Sequence, residues 1–339
     1  MNILGLTSMD SGCGYHRVIL PLGFMEDIKG YVTNLPTMEV LEQNWDIILF
    51  NRFSPFDAHL NEIKKELGCK VVIDLDDAWK LPANHISYNA YVHLEERLEN
   101  NIRNADMVTT TNERLAEKIR PINSNVKVFK NSIPFGMHQF TDDKSYSDKI
   151  RIFWAGSITH EEDIALLKNP VKRLMDQKNR IEMVLGGYND LNSASKIAWD
   201  RIVSHYTNAR KLPYQLLKGT IPTKYMQMYE DADIMLIPLQ QSDWHSCKSN
   251  LKLLEAASKK IPCIVSQVEP YYMGEQDNDI PVLWVKYQSD WYKHMNFLIN
   301  NKSAREDYGQ KIYEWAKERY DIRNTNVERR SAFADLIKA

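Results

Sequence analysis

The chain has 339 residues, 43% of them hydrophobic and 26% charged, with a formal net charge of −2. That length favours two domains, and the near-neutral charge argues against a broadly basic nucleic-acid surface and against tight docking on anionic membranes, a local basic patch aside. No apolar run reaches the length of a membrane span, and MNILGLTSMD lacks the basic and long apolar regions of a secretory signal. Cys13, Cys69, Cys247 and Cys263 are scattered without a CxxC pair, so neither a zinc site nor a disulfide framework is suggested and a reducing cytoplasm fits.

Strand-like runs at NILGLT (2–7), DIILF (46–50), KVVIDL (70–75), MVTTT (107–111) and VKVFK (126–130) alternate with helical stretches at 56–67, 89–104 and 112–120. TDDKSYSDK (141–149) is polar and without apolar period, and reads as a linker. A second series follows, with strands at 151–156, 181–187, 214–219, 233–239, 262–266 and 281–286 and helices at 161–178, 191–207, 222–231, 249–260, 289–300 and 303–319. Such alternation predicts an α/β fold of two doubly wound, Rossmann-like domains facing across a cleft, with ligands at the carboxyl ends of parallel strands. The first domain is expected over 1–145 and the second over 150–320. The break at DIRNTN (321–326) lets the last helix, 322–339, cross back to the first domain.

Chemistry-bearing residues cluster where strands hand over to helices. In TSMDSGCGYHR (7–17), Gly12 and Gly14 loosen a loop and Arg17 adds a permanent positive charge; the G-x-G-x-x-G pattern fails at Arg17. This segment is expected to be an acceptor-side or diphosphate-contacting loop, an ordinary loop with a surface arginine being the alternative. In IDLDDAWKLPANHISY (73–88), Asp74, Asp76 and Asp77 end a strongly apolar strand, and His85 is near enough in sequence to join them. Like charges crowded there predict a carboxylate of raised pKa that acts as a base; the acids could instead hold a divalent ion or cap a helix.

In FWAGSITHEEDI (153–164), Gly156 permits close backbone approach, while Ser157 and Thr159 can cap a helix or bond a phosphate. Glu161, Glu162 and Asp163 suit a helix's first turn. His160 can donate to a diphosphate, bond a sugar hydroxyl, or only pack. LGGYND (185–190) suits a close ligand approach or a plain turn, and Thr220–Ile221–Pro222 a nucleobase edge or a helix start. SCKSNLKLLEAASKKIPCIVS (246–266) reads as a helix running into a buried strand. Its lysine-bearing N-terminus favours an anion, and Lys252 and Glu255 share a face. The carboxylate could take ribose hydroxyls; alternatively the two merely pair on a solvated helix.

Four segments together resemble the GT-B glycosyltransferases of the large family-4-like group, which use nucleotide-activated sugars. KSNLKLLEAASKKIPCIVS (248–266) is similar to that family's donor motif, and AGSITHEED (155–163) to the loop opening its second domain. YMQMYEDADIMLIPL (225–239) resembles the segment before the donor motif, and residues 105–134 the end of the first domain. The resemblance implies that Glu255 holds the donor ribose and that Lys252, with Lys248 beside it, neutralises the diphosphate. Ser249, Asn250 and Leu251 would offer backbone N–H groups, while Gly156, Ser157, Thr159 and His160 flank the leaving group. Cys247 stands where many members carry a first glutamate, Thr159–His160 replaces the common basic pair, and Asp76 and Asp77 occupy the place of a sugar-contacting histidine.

The implied activity is sugar transfer from a UDP- or GDP-sugar to an acceptor hydroxyl, with no essential metal or cofactor. Asp76, Asp77 and His160 are the catalytic candidates, and the stereochemistry is open. GCGYHR and DLDDAW loosely resemble glycosyltransferases of bacteriophages and bacterial surface-polysaccharide clusters, and a glycan, a protein or a modified base of phage DNA are all open as the acceptor. A non-catalytic nucleotide-sugar binder and a nucleotide-sugar epimerase are the competing readings.

Overall fold

The computed structural model describes residues 1–339. The chain forms two compact units. Unit 1 comprises Met1–Pro134, Ser246–Ser249 and Tyr320–Ala339, and unit 2 comprises Phe135–His245 and Asn250–Arg319.

Unit 1 is built on six strands: β1 (Asn2–Leu6), β2 (Lys29–Thr33), β3 (Ile47–Asn51), β4 (Lys70–Leu75), β5 (Met107–Thr110) and β6 (Val126–Val128). All pair in parallel, in the order β2-β1-β3-β4-β5-β6. The inner strands are uninterrupted apolar runs because helices cover both faces of such a sheet. The core joins Ile3, Ile47, Leu49 and Val72 to Val18 and Leu22 of the segment after β1. The C-terminal helix Ile322–Lys338 belongs to this unit. Asp321 caps it, Asn326 donates to the Pro21 carbonyl at 2.7 Å, and Phe333 meets Phe129 edge to face in the core. β2 was not expected from sequence. It is an edge strand, largely exposed, and KGYVT lacks the apolar density that marks its inner neighbours.

Unit 2 repeats the plan with β7 (Ile150–Ala155), β8 (Ile181–Tyr188), β9 (Tyr214–Lys218), β10 (Ile234–Ile237), β11 (Cys263–Ser266) and β12 (Leu283–Val285), parallel and in the order β12-β11-β10-β7-β8-β9. Trp154, Trp199 and Trp291 anchor its core, the first two packing edge to face at 6.1 Å. The Tyr206 hydroxyl is buried with them and donates to the Ile152 carbonyl at 3.0 Å. The single helix expected over 161–178 is three pieces: Glu161–Ala165, Lys168–Lys172 and the 3₁₀ turn Arg173–Gln177. Pro170, which has no N–H to give, falls in the first turn of the middle piece, where none is needed. Residues 222–231 likewise form a 3₁₀ helix, with Pro222 at its start.

Each strand order reverses direction at one place, between β1 and β3 in unit 1 and between β7 and β10 in unit 2. Loops leaving the strands on either side of such a reversal pass to opposite faces, and the crevice between them, at the carboxyl ends, is where doubly wound sheets bind ligands. No helix is long and apolar enough to cross a membrane.

One close approach tests the packing of unit 2. A Cβ added to Gly309, in helix Lys302–Tyr320, would lie 2.2 Å from the Lys260 carbonyl oxygen. Backbone cannot yield as a side chain does, so Gly309→Ala is expected to destabilise the protein by about 1–3 kcal/mol, read as a lowered thermal midpoint.

Candidate functional site

At the unit 2 crevice, β7 ends in Ala155 and the chain turns through Gly156 and Ser157. Gly156 donates its N–H to the Gly186 carbonyl at 3.2 Å. Its own Cβ position lies 2.5 Å from the Trp154 ring, and a Cβ on Gly187, at φ +91°, would lie 2.3 Å from the Gly156 oxygen. Glycines are therefore required here by the crossing of two strand ends. Ser157 starts the turn Ile158–His160 but makes no side-chain cap, the first of its two expected roles; its hydroxyl bonds that of Thr159 at 2.7 Å. His160 Nδ1 lies 2.8 Å from Oδ2 of Asp163, whose side chain is 1% exposed. Asp163 Oδ1 accepts the Gln240 N–H at 2.8 Å, which ties the loop after β7 to the loop after β10.

The donor-motif segment divides at Asn250. Residues 246–249 belong to unit 1, where Asn112 Nδ2 donates to the carbonyls of Cys247 and Lys248, each at 2.8 Å. Lys248 Nζ is 3.4 Å from Asp77, and Asn131 Nδ2 donates to the Ser249 hydroxyl at 2.8 Å. Asn250 then begins helix Leu251–Ser258, accepting the N–H of Leu253 and Leu254 through its carbonyl. Glu255 is only 4% exposed and accepts the Tyr229 hydroxyl at 2.6 Å. Burial pushes its carboxyl up to about 7, against the opposing effects of the Tyr229 hydrogen bond and the Lys252 charge. Glu255 therefore does not lie on a solvated helix face: the carboxyl is turned into the protein, beside a phenol that packs edge to face on Phe153.

In unit 1 the three acids have a different character from the one expected. Asp74 accepts Arg17 Nε and Nη2 at 2.9 and 2.8 Å and the Thr109 hydroxyl at 2.6 Å. Asp76 faces Arg52 Nε and Nη2 at 3.0 and 2.9 Å and accepts Asn51 Nδ2 at 3.2 Å. Asp77 lies between Arg52 and Lys248 at 3.7 and 3.4 Å. Burial alone would raise the Asp76 carboxyl, but the Arg52 charge, hydrogen bonds from Cys13 and Asn51 and the Arg17 charge together bring it down to about 2. For Asp76 the expectation of a base with a raised pKa is corrected: arginines distant in sequence pair with it. Each acid also faces a cation in this way, so the three do not converge as a cage for a divalent ion.

Arg17 is corrected as well. It is buried, not on the surface, and Nη1 donates to the Phe129 carbonyl at 2.8 Å and to Asn131 Oδ1 at 3.0 Å. Gly12 has open space around it, whereas a Cβ on Gly14 would collide with the Thr7 hydroxyl. His85 Nδ1 accepts the Ser87 N–H at 3.1 Å, a local turn bond. Arg52, Asn112, Tyr229 and His245 were not singled out by sequence. Arg52 has a signal in hindsight, since it follows a buried strand and adopts φ +61°, unusual for a side chain of its size.

No family model and no curated protein sequence matches the chain. Solved structures do. Sucrose-phosphate synthase from Thermosynechococcus elongatus superposes with a TM-score of 0.70 at 10% identity, covering 100% of this chain and 99% of that one. Anabaena HepE, in its complex with UDP-glucose, gives 0.65 at 12% identity, covering 99% and 100%. Staphylococcus aureus TarM gives 0.59 at 15% identity over 85% of this chain, which spans about half (54%) of TarM's length. The two six-stranded parallel units are those of the GT-B fold.

Two outcomes follow from the buried charges. Arg17→Met strands Asp74 without its partner and is expected to cost about 3–5 kcal/mol in a denaturant titration, most of it recovered in the Arg17→Met/Asp74→Leu double variant. Glu255 binds its proton more tightly folded than unfolded, so its contribution to stability is complete below the ordinary value of 4.5 and is lost as pH rises to about 7. The loss is on the order of 3 kcal/mol, and Glu255→Gln is expected to remove that slope from stability measured across the window.

Proposed function

We propose that this protein is a glycosyltransferase that moves a sugar from a nucleotide-diphosphate sugar, with UDP as the nucleotide, to an acceptor hydroxyl. The observation that carries the reading is Glu255, a carboxyl almost wholly withdrawn from water on the helix that follows the Lys248–Asn250 loop. A buried carboxyl is costly unless donors satisfy it. Tyr229 supplies one donor, and the two hydroxyls of a ribose would supply more. The GT-B fold supports the same reading, as does HepE's complex with UDP-glucose.

In this reading unit 2 holds the donor. Glu255 accepts from the ribose, Lys252 and the N-terminus of helix Leu251–Ser258 face the diphosphate, and His160 stands at the sugar end with Gly156, Ser157 and Thr159 beside it. Lys248 and the backbone of Ser249 and Asn250 complete the phosphate contacts. The acceptor is assigned to unit 1. Asp76, held ionised by Arg52, is a weak base, so Asp77, the more exposed of the pair, is the better candidate to meet an acceptor hydroxyl. Catalysis then rests on positioning and on stabilising the departing diphosphate, with no step requiring a metal. A glycan or a modified nucleobase fits as the acceptor, and a cytoplasmic location suits a nucleotide-sugar substrate.

Only ionised Glu255 accepts from both ribose hydroxyls. Affinity for UDP-glucose, whose diphosphate diester does not titrate near neutrality, is expected to rise about tenfold between about pH 6 and pH 8, following the ionisation of Glu255. Glu255→Gln should weaken binding at least about tenfold and flatten the profile. Calorimetric titration reads both. Wild type that binds no UDP-sugar, or binds it as the variant does, contradicts the assignment.

A further inference from the structure

Unit 2 has a second concave site, at the amino ends of β10 and β11 and therefore at the opposite end of the sheet from the crevice. Asp233 and Pro262, which immediately precede those strands, line a cavity of about 440 Å³, a size that suits a small molecule. Five cations and three carboxylates share the lining. Each carboxylate already faces a cation: Asp142 meets Lys260 at 2.7 Å, Asp233 meets the buried Arg151 at 3.1 Å, and Glu306 lies 3.7 Å from Lys302.

Lys144, Lys259 and Arg305 are the cations left over. Lys144 makes no side-chain hydrogen bond and no ion pair. Lys259, the C-cap of helix Leu251–Ser258, is 1% exposed, and the carboxylate it faces, Glu230, lies 3.6 Å from Nζ, beyond hydrogen-bonding distance. Arg305 donates through Nη1 to the Leu298 and Ile299 carbonyls at 2.6 and 3.3 Å, while its Nε and Nη2 make no hydrogen bond. A lysine at a helix end ordinarily carries its ammonium out to water on a flexible stem. This one is enclosed, and a buried ammonium is costly unless acceptors meet it. Burial also lowers the Arg305 guanidinium, and the Asp233 and Glu306 charges oppose this without restoring its ordinary value. What the cavity lacks is negative charge.

We propose that this cavity is a second ligand site, which takes a phosphorylated sugar: Lys144, Lys259 and Arg305 hold its phosphate, and Glu306 and Gln310 meet its hydroxyls. The proposal does not depend on the donor assignment. A phosphomonoester carries three strong acceptor oxygens, enough to accept from all three cations at once, and guanidinium and ammonium groups are well suited to it. Glu306 and Gln310 are exposed and offer a carboxylate and an amide to hydroxyls. The carboxylates of the lining repel an extended polyanion, and no aromatic ring lines the cavity on which a nucleobase could stack.

Calorimetric titrations at about 0.15 M ionic strength, where contacts between exposed charges are screened, test this with glucose 6-phosphate, inorganic phosphate and glucose. Glucose 6-phosphate should bind at a single site, inorganic phosphate at least about fivefold more weakly, and glucose without measurable heat. Lys259→Met should weaken glucose 6-phosphate at least about tenfold, and Lys144→Ala about three- to tenfold. Lys144 is exposed, so its variant reports on the site even where Lys259→Met does not fold. Excess UDP should change the wild-type affinity less than about twofold.

Wild type that binds neither phosphate overturns the site. Glucose 6-phosphate that binds equally well to Lys144→Ala, or that UDP displaces, is held elsewhere, which overturns the assignment to this cavity. Inorganic phosphate that binds as tightly as glucose 6-phosphate overturns the sugar contacts. Wild type that binds no UDP sinks the donor reading instead, and the lysine variants still decide this one.

Discussion

A buried carboxyl must be answered by its surroundings, and the two units answer that demand differently. Asp74 meets a bidentate guanidinium and a threonine hydroxyl, an arrangement that satisfies it within the fold. Glu255 accepts the Tyr229 hydroxyl, and burial holds its carboxyl well above the usual range. The first carboxylate is held ionised by a fixed cation; the second is held by hydroxyl chemistry of the kind a polyhydroxylated ligand offers, and the donor assignment depends on that difference.

The same contrast orders the other charged groups. Unit 1 gathers Arg17, Arg52 and Lys248 around its three acids, and the Arg52 charge keeps the Asp76 carboxyl below the usual range. Unit 2 places Asp163 at the reversal of strand order, with His160 Nδ1 and His245 Nε2 near its two oxygens. Loop Ser246–Ser249, held by Asn112 and Asn131, leads directly into the helix that carries Glu255.

Much of the fold was legible because inner parallel strands are unbroken apolar runs; KVVIDL coincides with β4 residue for residue. The edge strand β2 was not, because exposure removes the apolar signal. The broken helix after β7 was missed because its apolar period continues while Pro170 resets the backbone. Residue types at the strand ends were legible, but their partners were not. Arg17 and Asp74 are 57 residues apart, and Tyr229 and Glu255 are 26 apart. Such pairings are properties of topology, so three acids in a row suggested an unpaired base where the fold supplies an arginine for the first two. Asp163 was hidden differently: as a first-turn acid it already had an explanation.

The most direct measurement is a crystal structure of the protein soaked with UDP-glucose. The account predicts both ribose hydroxyls within hydrogen-bond distance of the Glu255 carboxylate and the glucose ring on the His160 side of the diphosphate. A nucleotide bound away from helix Leu251–Ser258, or a ribose whose hydroxyls do not reach the Glu255 carboxylate, would contradict it.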